Sequence, residues 1–353
     1  MAGWKKQNTK LKWKLATIMV ITSLLTIMFI VPSIIVLPFN GPSDESQASI
    51  ESIPASSQET TEIELESPFH VNVLRTQQNL VEEIPLENYV VHVVASEMPA
   101  DFELEALKAQ ALAARTYIVR FLMHGGTEDL PGGADVTDTV QHQVYKNNDE
   151  LREVWGTDYH WKIDKVKEAV AATQGEIITH NNDPITPAFF STSNGYTENS
   201  EDYWENELPY LRTVASPWDV EISPKYLDQR VFTKAQVEEQ LGVSISGQQQ
   251  NFEITRTESN RVAEIEFGNT TLSGREVREK LNLASNDFTI AKKNNHYVFT
   301  TKGYGHGVGM SQYGANGMAQ EGKNYADIIK YYYQGTNIQA LEQAAPTLVA
   351  KLN

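Results

Sequence analysis

Pro85 and Pro99 bracket the apolar run LENYVVHVVASEM and bound a helix at both ends. Pro85 suits the first turn of a helix, where its missing N–H costs nothing. Pro99 keeps that helix from continuing beyond about Glu97. Asp101 is positioned to cap a second helix, predicted to run to Met123 and to stop at Gly125–Gly126. Two helices joined by so tight a connection leave Glu97 at the corner, against apolar side chains. Burial penalises a charged carboxylate and raises its pKa. A neutral carboxyl at such a site can protonate a leaving oxygen; a solvated helix-end glutamate is the plainer alternative. Lys108 and Arg115 are seven residues apart on the second helix and share a face, with Ala111 and Leu112 between them. A salt bridge from either would lower the pKa of Glu97. Both are therefore expected further off, binding substrate oxygens, unless they are ordinary solvated charge.

Residues 15–37 carry no charge and follow five lysines within the first fourteen residues, a basic tail over 1–14. A helix of that length spans a hydrocarbon core of roughly 30 Å. With Trp4 and Trp13 as interfacial residues and the lysines inside, this reads as a single-pass transmembrane anchor with the N-terminus cytoplasmic and the remainder outside. A cleaved signal peptide is the alternative. Residues 38–67 read as a disordered acidic tether: seven acids and no Lys or Arg over 41–67, with too little apolar surface to offset ordering entropy. The net charge is −17, although the basic tail adds five positive charges. So acidic a body argues against nucleic acid as a partner. The absence of cysteine excludes disulfides and thiolate metal sites.

The folded domain is expected over 68–340, with 341–353 as a C-terminal tail. FHVNVL alternates as a strand, and a short strand is expected at Gln143–Tyr145 within the loops of 127–160. A third helix is expected between a cap at Asp164 and a stop at Gly175. EIITH and TPAFFSTS read as a hairpin around Asn181–Asn182–Asp183–Pro184. Residues 225–285 read as a smaller α/β insertion: a helix in VFTKAQVEEQL, a strand pair in FEITRTES and RVAEIEF, and a helix in SGREVREKLNL. HYVFTTKG returns as a strand, and a last helix lies around Tyr325–Tyr333. The fold class is α+β, with the transmembrane helix preceding it.

Gly303, Gly305, Gly307 and Gly309 alternate and match neither G-x-G-x-x-G nor a Walker pattern, which excludes nucleotide binding on this loop. Alternating glycine lets backbone approach closely, either to a ligand or to another strand. His306, Ser311, Gln312 and Tyr313 follow with donors suited to a sugar, unless the loop is purely structural. Ser193 and Tyr196 lie in a hydroxyl-rich stretch lacking a G-x-S-x-G elbow, and fit a polysaccharide groove better than a nucleophile. No histidine pair has metal-ligand spacing.

Taken together, SEMP, LEALKAQALAARTY, FFSTSNGYTENSEDYW and GYGHGVGMSQYGANGMA resemble the stage II sporulation protein D family over about residues 69–340. The resemblance implies a membrane-anchored lytic transglycosylase acting on peptidoglycan glycan strands, preferably freed of stem peptides, during septal thinning and forespore engulfment. It implies location in the engulfing mother-cell membrane, facing the septal space. It also implies stage II sporulation proteins P and M as partners. Glu97 takes the position of the family's catalytic acid/base, Lys108 and Arg115 those of substrate contacts, and the Gly-rich block falls on Gly305–Gly314, including Gly307. Some relatives carry a Cys/His zinc site near Val136–Tyr145. Thr137 and Gln141 stand there instead, and His142 alone cannot hold tetrahedral zinc. No metal and no other cofactor is therefore expected, and polar contacts of Asp138 and Gln143 would hold the loop.

A single carboxylate can serve such a reaction, with Ser193, Tyr196 and Gln312 steadying developing charge. Three rivals stand beside it. One is a hydrolase using a second acid from Glu198, Glu201 or Asp202. Another is a non-catalytic activator of an amidase, like the related amidase enhancers, and the last is a structural tether.

Overall fold

A computed structural model describes residues 65–124, 130–245 and 252–352. The expected transmembrane helix is corrected here: among the described residues no helix is long and apolar enough to cross a membrane. The 15–37 run and most of the acidic linker lie outside the described residues. What is described is a mixed α/β fold.

Strand β1 (His70–Arg75) pairs antiparallel with β2 (Leu80–Pro85), burying Val71 and Val73 on one face. Helix α1 (Leu86–Glu97) follows with Pro85 as its N-cap residue. Its valines are poor helix formers. However, Val90, Val91, Val93 and Val94 are all buried, so packing outweighs propensity. Helix α2 (Leu104–Met123) starts three residues after Asp101, and no side chain of its own caps it. Instead the Glu103 N–H donates to Asn316 Oδ1, 2.8 Å away and 213 residues on. Five buried alanines on α2 (Ala106, Ala109, Ala111, Ala113 and Ala114) give neighbouring helices close access to it.

Strand β3 (Val136–Thr137) runs parallel to β1, and no strand forms at Gln143–Tyr145. Helix α3 (Asn148–Trp155), capped by an Asn147–Glu150 capping box, occupies a stretch expected to be loop. Helix α4 (Tyr159–Ala171) begins five residues before Asp164 and ends short of Gly175. Strands β4 (Glu176–His180) and β5 (Asp183–Pro184) form a tight hairpin in which Asn181 and Asn182 have φ of 53° and 66°. Strand β6 (Phe189–Phe190) belongs to another sheet. Helices α5 (Ser200–Tyr203) and α6 (Trp218–Ile222) are short.

The chain then builds a second apolar core, which gathers residues from Phe232 to Phe299 and thus continues past residue 285. It is formed by β7 (Leu227–Thr233), α7 (Lys234–Leu241), β8 (Ile254–Arg256), β9 (Val262–Phe267), β10 (Thr270–Ser273), α8 (Gly274–Lys280), β11 (Phe288–Lys293) and β12 (His296–Lys302). The strands make two antiparallel sheets, ordered β10-β9-β8 and β11-β12-β7. Strand β13 (Met310–Ser311) returns to the main core and runs parallel to β6. Helix α9 (Gln312–Gln320) forms within what reads as Gly-rich loop. Then come α10 (Tyr325–Tyr332), β14 (Asn337–Ala340) on the outer side of β4, α11 (Leu341–Ala344) and α12 (Pro346–Leu352).

Candidate active site

Glu97 ends α1 and is half-buried. Its Oε1 accepts one backbone bond, from the Val144 N–H at 3.1 Å, and its main-chain carbonyl accepts from Gln312 Nε2 at 3.1 Å. Burial raises its pKa. The Val144 N–H and the nearby Lys146 ammonium oppose that rise without cancelling it. The carboxyl opens on a cavity of about 520 Å³. Trp155, Phe190, Tyr304 and Tyr313 supply aromatic walls. Lys146, Lys225 and Arg278 supply cations, and Ser191, His306 and Gln312 supply neutral polar groups. Among the described residues that line it, Glu97 is the only carboxylate.

His306 sits beside the rings of Phe190, Tyr203 and Trp204, with centroids 5.8, 5.7 and 5.4 Å away. Its Nδ1 accepts from the Val308 N–H at 3.0 Å, which leaves the ring proton on Nε2. Burial, followed by Arg278 and Arg261, lowers its pKa to about 3. The imidazole is therefore neutral at physiological pH and can only orient or donate.

Of the other residues singled out in the sequence, Gln312 and Tyr313 reach the cavity and Gly305 lines it. The rest lie elsewhere. Lys108 pairs with Glu105 at 2.6 Å on its own helix. Arg115 is fully buried and clasps Glu87, with Nη2–Oε2 at 2.6 Å and Nε–Oε1 at 2.9 Å; Nη1 donates to the Glu176 carbonyl. These bonds occupy a guanidinium expected at the substrate, because Glu87 is buried with it and needs a counter-charge. Ser193 and Ser311 are also buried. The Ser193 N–H and both hydroxyls of Ser216 and Ser311 converge on the carboxylate of Asp219. This knot fastens the start of α9 to the 191–196 loop. Tyr196 is exposed and lines a separate polar cavity with Arg256 and Asp287.

The glycines of the 303–309 loop serve backbone-to-backbone approach. A Cβ at Gly309 would stand 2.0 Å from the Ala188 carbonyl oxygen, and one at Gly303 would stand 2.8 Å from that of Thr192. At Gly307, where φ is +87°, a Cβ would strike the Arg261 guanidinium. Hydrogen bonds Tyr304 N to Thr192 O, Glu198 N to Gly307 O and Met310 N to Ala188 O stitch the loop along 188–198.

The three acids considered as a second carboxylate are spoken for. Glu198 is buried and accepts from Thr257 and Ser259, each at 2.8 Å. Glu201 pairs with Arg212, and Asp202 accepts from Asn199. Around Val136–Tyr145, Thr137 bonds the His142 ring, Asp138 accepts from Arg75 and Thr76, and Gln143 accepts from Tyr89. This set does not fit a metal, and among the described residues no group of three or more His, Cys, Asp or Glu side chains could hold one.

Sequence reasoning missed Lys146, Lys225 and Arg278. They belong to no motif and come from a loop, the entrance of the insertion and α8. Only the tertiary fold brings them to Glu97.

A sequence profile described as Stage II sporulation protein matches residues 74–180, the stretch that carries Glu97 and its Val144 partner. The chain is 48% identical to stage II sporulation protein D of Bacillus subtilis, over 93% of this chain and 97% of that one. The chain belongs to the stage II sporulation protein D family. It is 46% identical to the stage II sporulation protein D of Bacillus amyloliquefaciens, covering 95% of this chain and 98% of that protein. It is also 31% identical to the amidase enhancer of Bacillus subtilis, over 70% of this chain and 39% of that longer one.

Proposed function

We propose that this stage II sporulation protein D family member is a lytic transglycosylase that cleaves peptidoglycan glycan strands, with Glu97 as acid and then base. The observation that carries this reading is the lone cavity carboxylate with a raised pKa. Protonated Glu97 donates to the oxygen joining C1 of N-acetylmuramic acid to N-acetylglucosamine, and the C1–O bond breaks. The muramoyl C6 hydroxyl attacks C1, and ionised Glu97 takes its proton. The product carries a 1,6-anhydro end and no water is consumed. The aromatic walls suit sugar faces, and a neutral His306 suits a polar but uncharged contact. No second carboxylate stands among the described lining residues to hold a water or a covalent intermediate, which favours this route over hydrolysis. The setting would be the sporulation septum, with an amidase preparing peptide-free strands.

A second reading, a glycan-binding activator of an amidase, draws on the likeness to the amidase enhancer. The test incubates the full chain with peptide-free glycan strands and weighs the products, beside Glu97→Gln. Anhydro-ended fragments from the wild type alone are expected. Fragments heavier by one water would overturn the transglycosylase for a hydrolase. Stimulation of an amidase without any fragments would favour the activator.

A further inference from the structure

The cavity contrasts with the rest of the chain in charge. The protein carries −17 overall, yet three cations and one acid line this wall. With Glu97 in its neutral form the lining is wholly cationic. Among the described residues, none of the three cations has a carboxylate at ion-pair distance. Lys225 lies over the Tyr304 ring, 5.1 Å from its centroid, and Lys146 acts on Glu97 from a distance.

Arg278 is the most built of the three. It stands in the last turn of α8, in the second core's subdomain, and its Nη1 donates to the Tyr203 hydroxyl at 2.9 Å. That bond fixes the guanidinium beside His306. Its Nε is buried without a hydrogen-bond partner. The residue lines the cavity, and among the described residues no carboxylate pairs with it, so its planar guanidinium can meet a carboxylate brought by a ligand.

We propose that Arg278 is a specificity-determining residue that pairs with a carboxylate on the glycan, so that the insertion selects strands whose muramic acid bears a free lactyl carboxylate. A strand with that carboxylate capped as an amide brings neither the charge nor the paired acceptor. Lys146 and Lys225 add to the local field without supplying the fork. This assignment rests on the transglycosylase reading for its substrate class, but its readout is separate.

The test uses the full chain and two preparations of peptide-free strands, one native and one with its carboxylates converted to N-methylamides. Binding is measured in a Glu97→Gln background and cleavage in the otherwise wild-type protein. Native strands are expected to bind about tenfold or more tighter than amidated ones. Arg278→Gln is expected to bring the affinities for the two strands near parity. Equal affinity of the parent protein for both strands, or undiminished discrimination in a folded Arg278→Gln protein, would overturn the proposal. Should Arg278→Gln not fold by circular dichroism, Arg278→Lys decides: it keeps the charge without the fork, so reduced discrimination supports the assignment and parental discrimination overturns it. Discrimination in binding with no cleavage at all would sink the transglycosylase and leave Arg278 as the carboxylate reader. Equal cleavage and equal binding of both strands would do the reverse.

Discussion

The two ends of helix α1 each carry a glutamate, and their surroundings could hardly differ more. Glu87, in the first turn, is fully buried and clasped by Arg115 through two oxygens, with the Gly175 N–H as a further donor. Glu97, ten residues on, has one backbone N–H and a cavity. At Glu87 a matched cation pairs with the buried charge, and the residue becomes part of the frame. At Glu97 no cation is at ion-pair distance among the described residues, and burial raises its proton affinity against the weaker pull of Val144 and Lys146. A carboxylate's availability for chemistry is thus set by what is withheld from it.

The contrast can be broken most sharply at Glu97. Glu97→Gln should reduce strand cleavage by about a hundredfold or more, the scale of a lost general acid. Its thermal midpoint at neutral pH should equal or exceed that of the wild type. The sign follows from linkage. A folded-state pKa above the unfolded value gives stability that is complete below the unfolded pKa and is lost as pH rises through the folded one. At neutral pH the ionised group is therefore a burden that glutamine removes. A folded Glu97→Gln protein with near-normal activity would end the assignment. Arg115→Met should cost about 3–5 kcal/mol in chemical denaturation by stranding Glu87; a loss under 1 kcal/mol would mean that Glu87 finds another partner. Ser67 Oγ accepts from the Glu87 N–H at 2.9 Å, so Ser67→Ala should cost about 1 kcal/mol by the same measurement and leave cleavage alone. The smallest effect is expected at Lys146. Removing a cation that lowers the Glu97 pKa should shift the alkaline limb of the pH–rate profile of Lys146→Met to higher pH. A shift to lower pH would contradict the electrostatics of the corner.

The corner itself was legible because two prolines and an unbroken valine-rich run are local signals, and α1 runs from Leu86 to Glu97 as they require. The start of α2 was not. No side chain caps it, and the Glu103 N–H is held instead by Asn316, which no local rule can relate to Glu103. Gly-rich sequence from Gly303 onward left two purposes open, and only the pairing with 188–198 chooses between them. Arg115 misled because face-sharing with Lys108 says nothing about which face is buried. The three cavity cations were invisible for the opposite reason: each is unremarkable where it stands in the sequence, and their meaning lies in convergence from segments as much as 132 residues apart, the distance from Lys146 to Arg278.

The parallel pairing of Phe189–Phe190 with Met310–Ser311, and the bond from Gln312 to the Glu97 carbonyl, also fix an order of events. A ribosome that has released residues up to 300 has already made Glu97, the valine helix and the insertion. It has not yet made the strand and helix that close the cavity around them. At about 5–20 residues per second, the twenty residues from 301 to 320 take roughly 1–4 s, and for that time the chain is nearly complete but unassembled. The cavity around Glu97 is thus completed only with the last stretch of synthesis, and on the transglycosylase reading proposed above a chain truncated before Gln312 should cleave no strands.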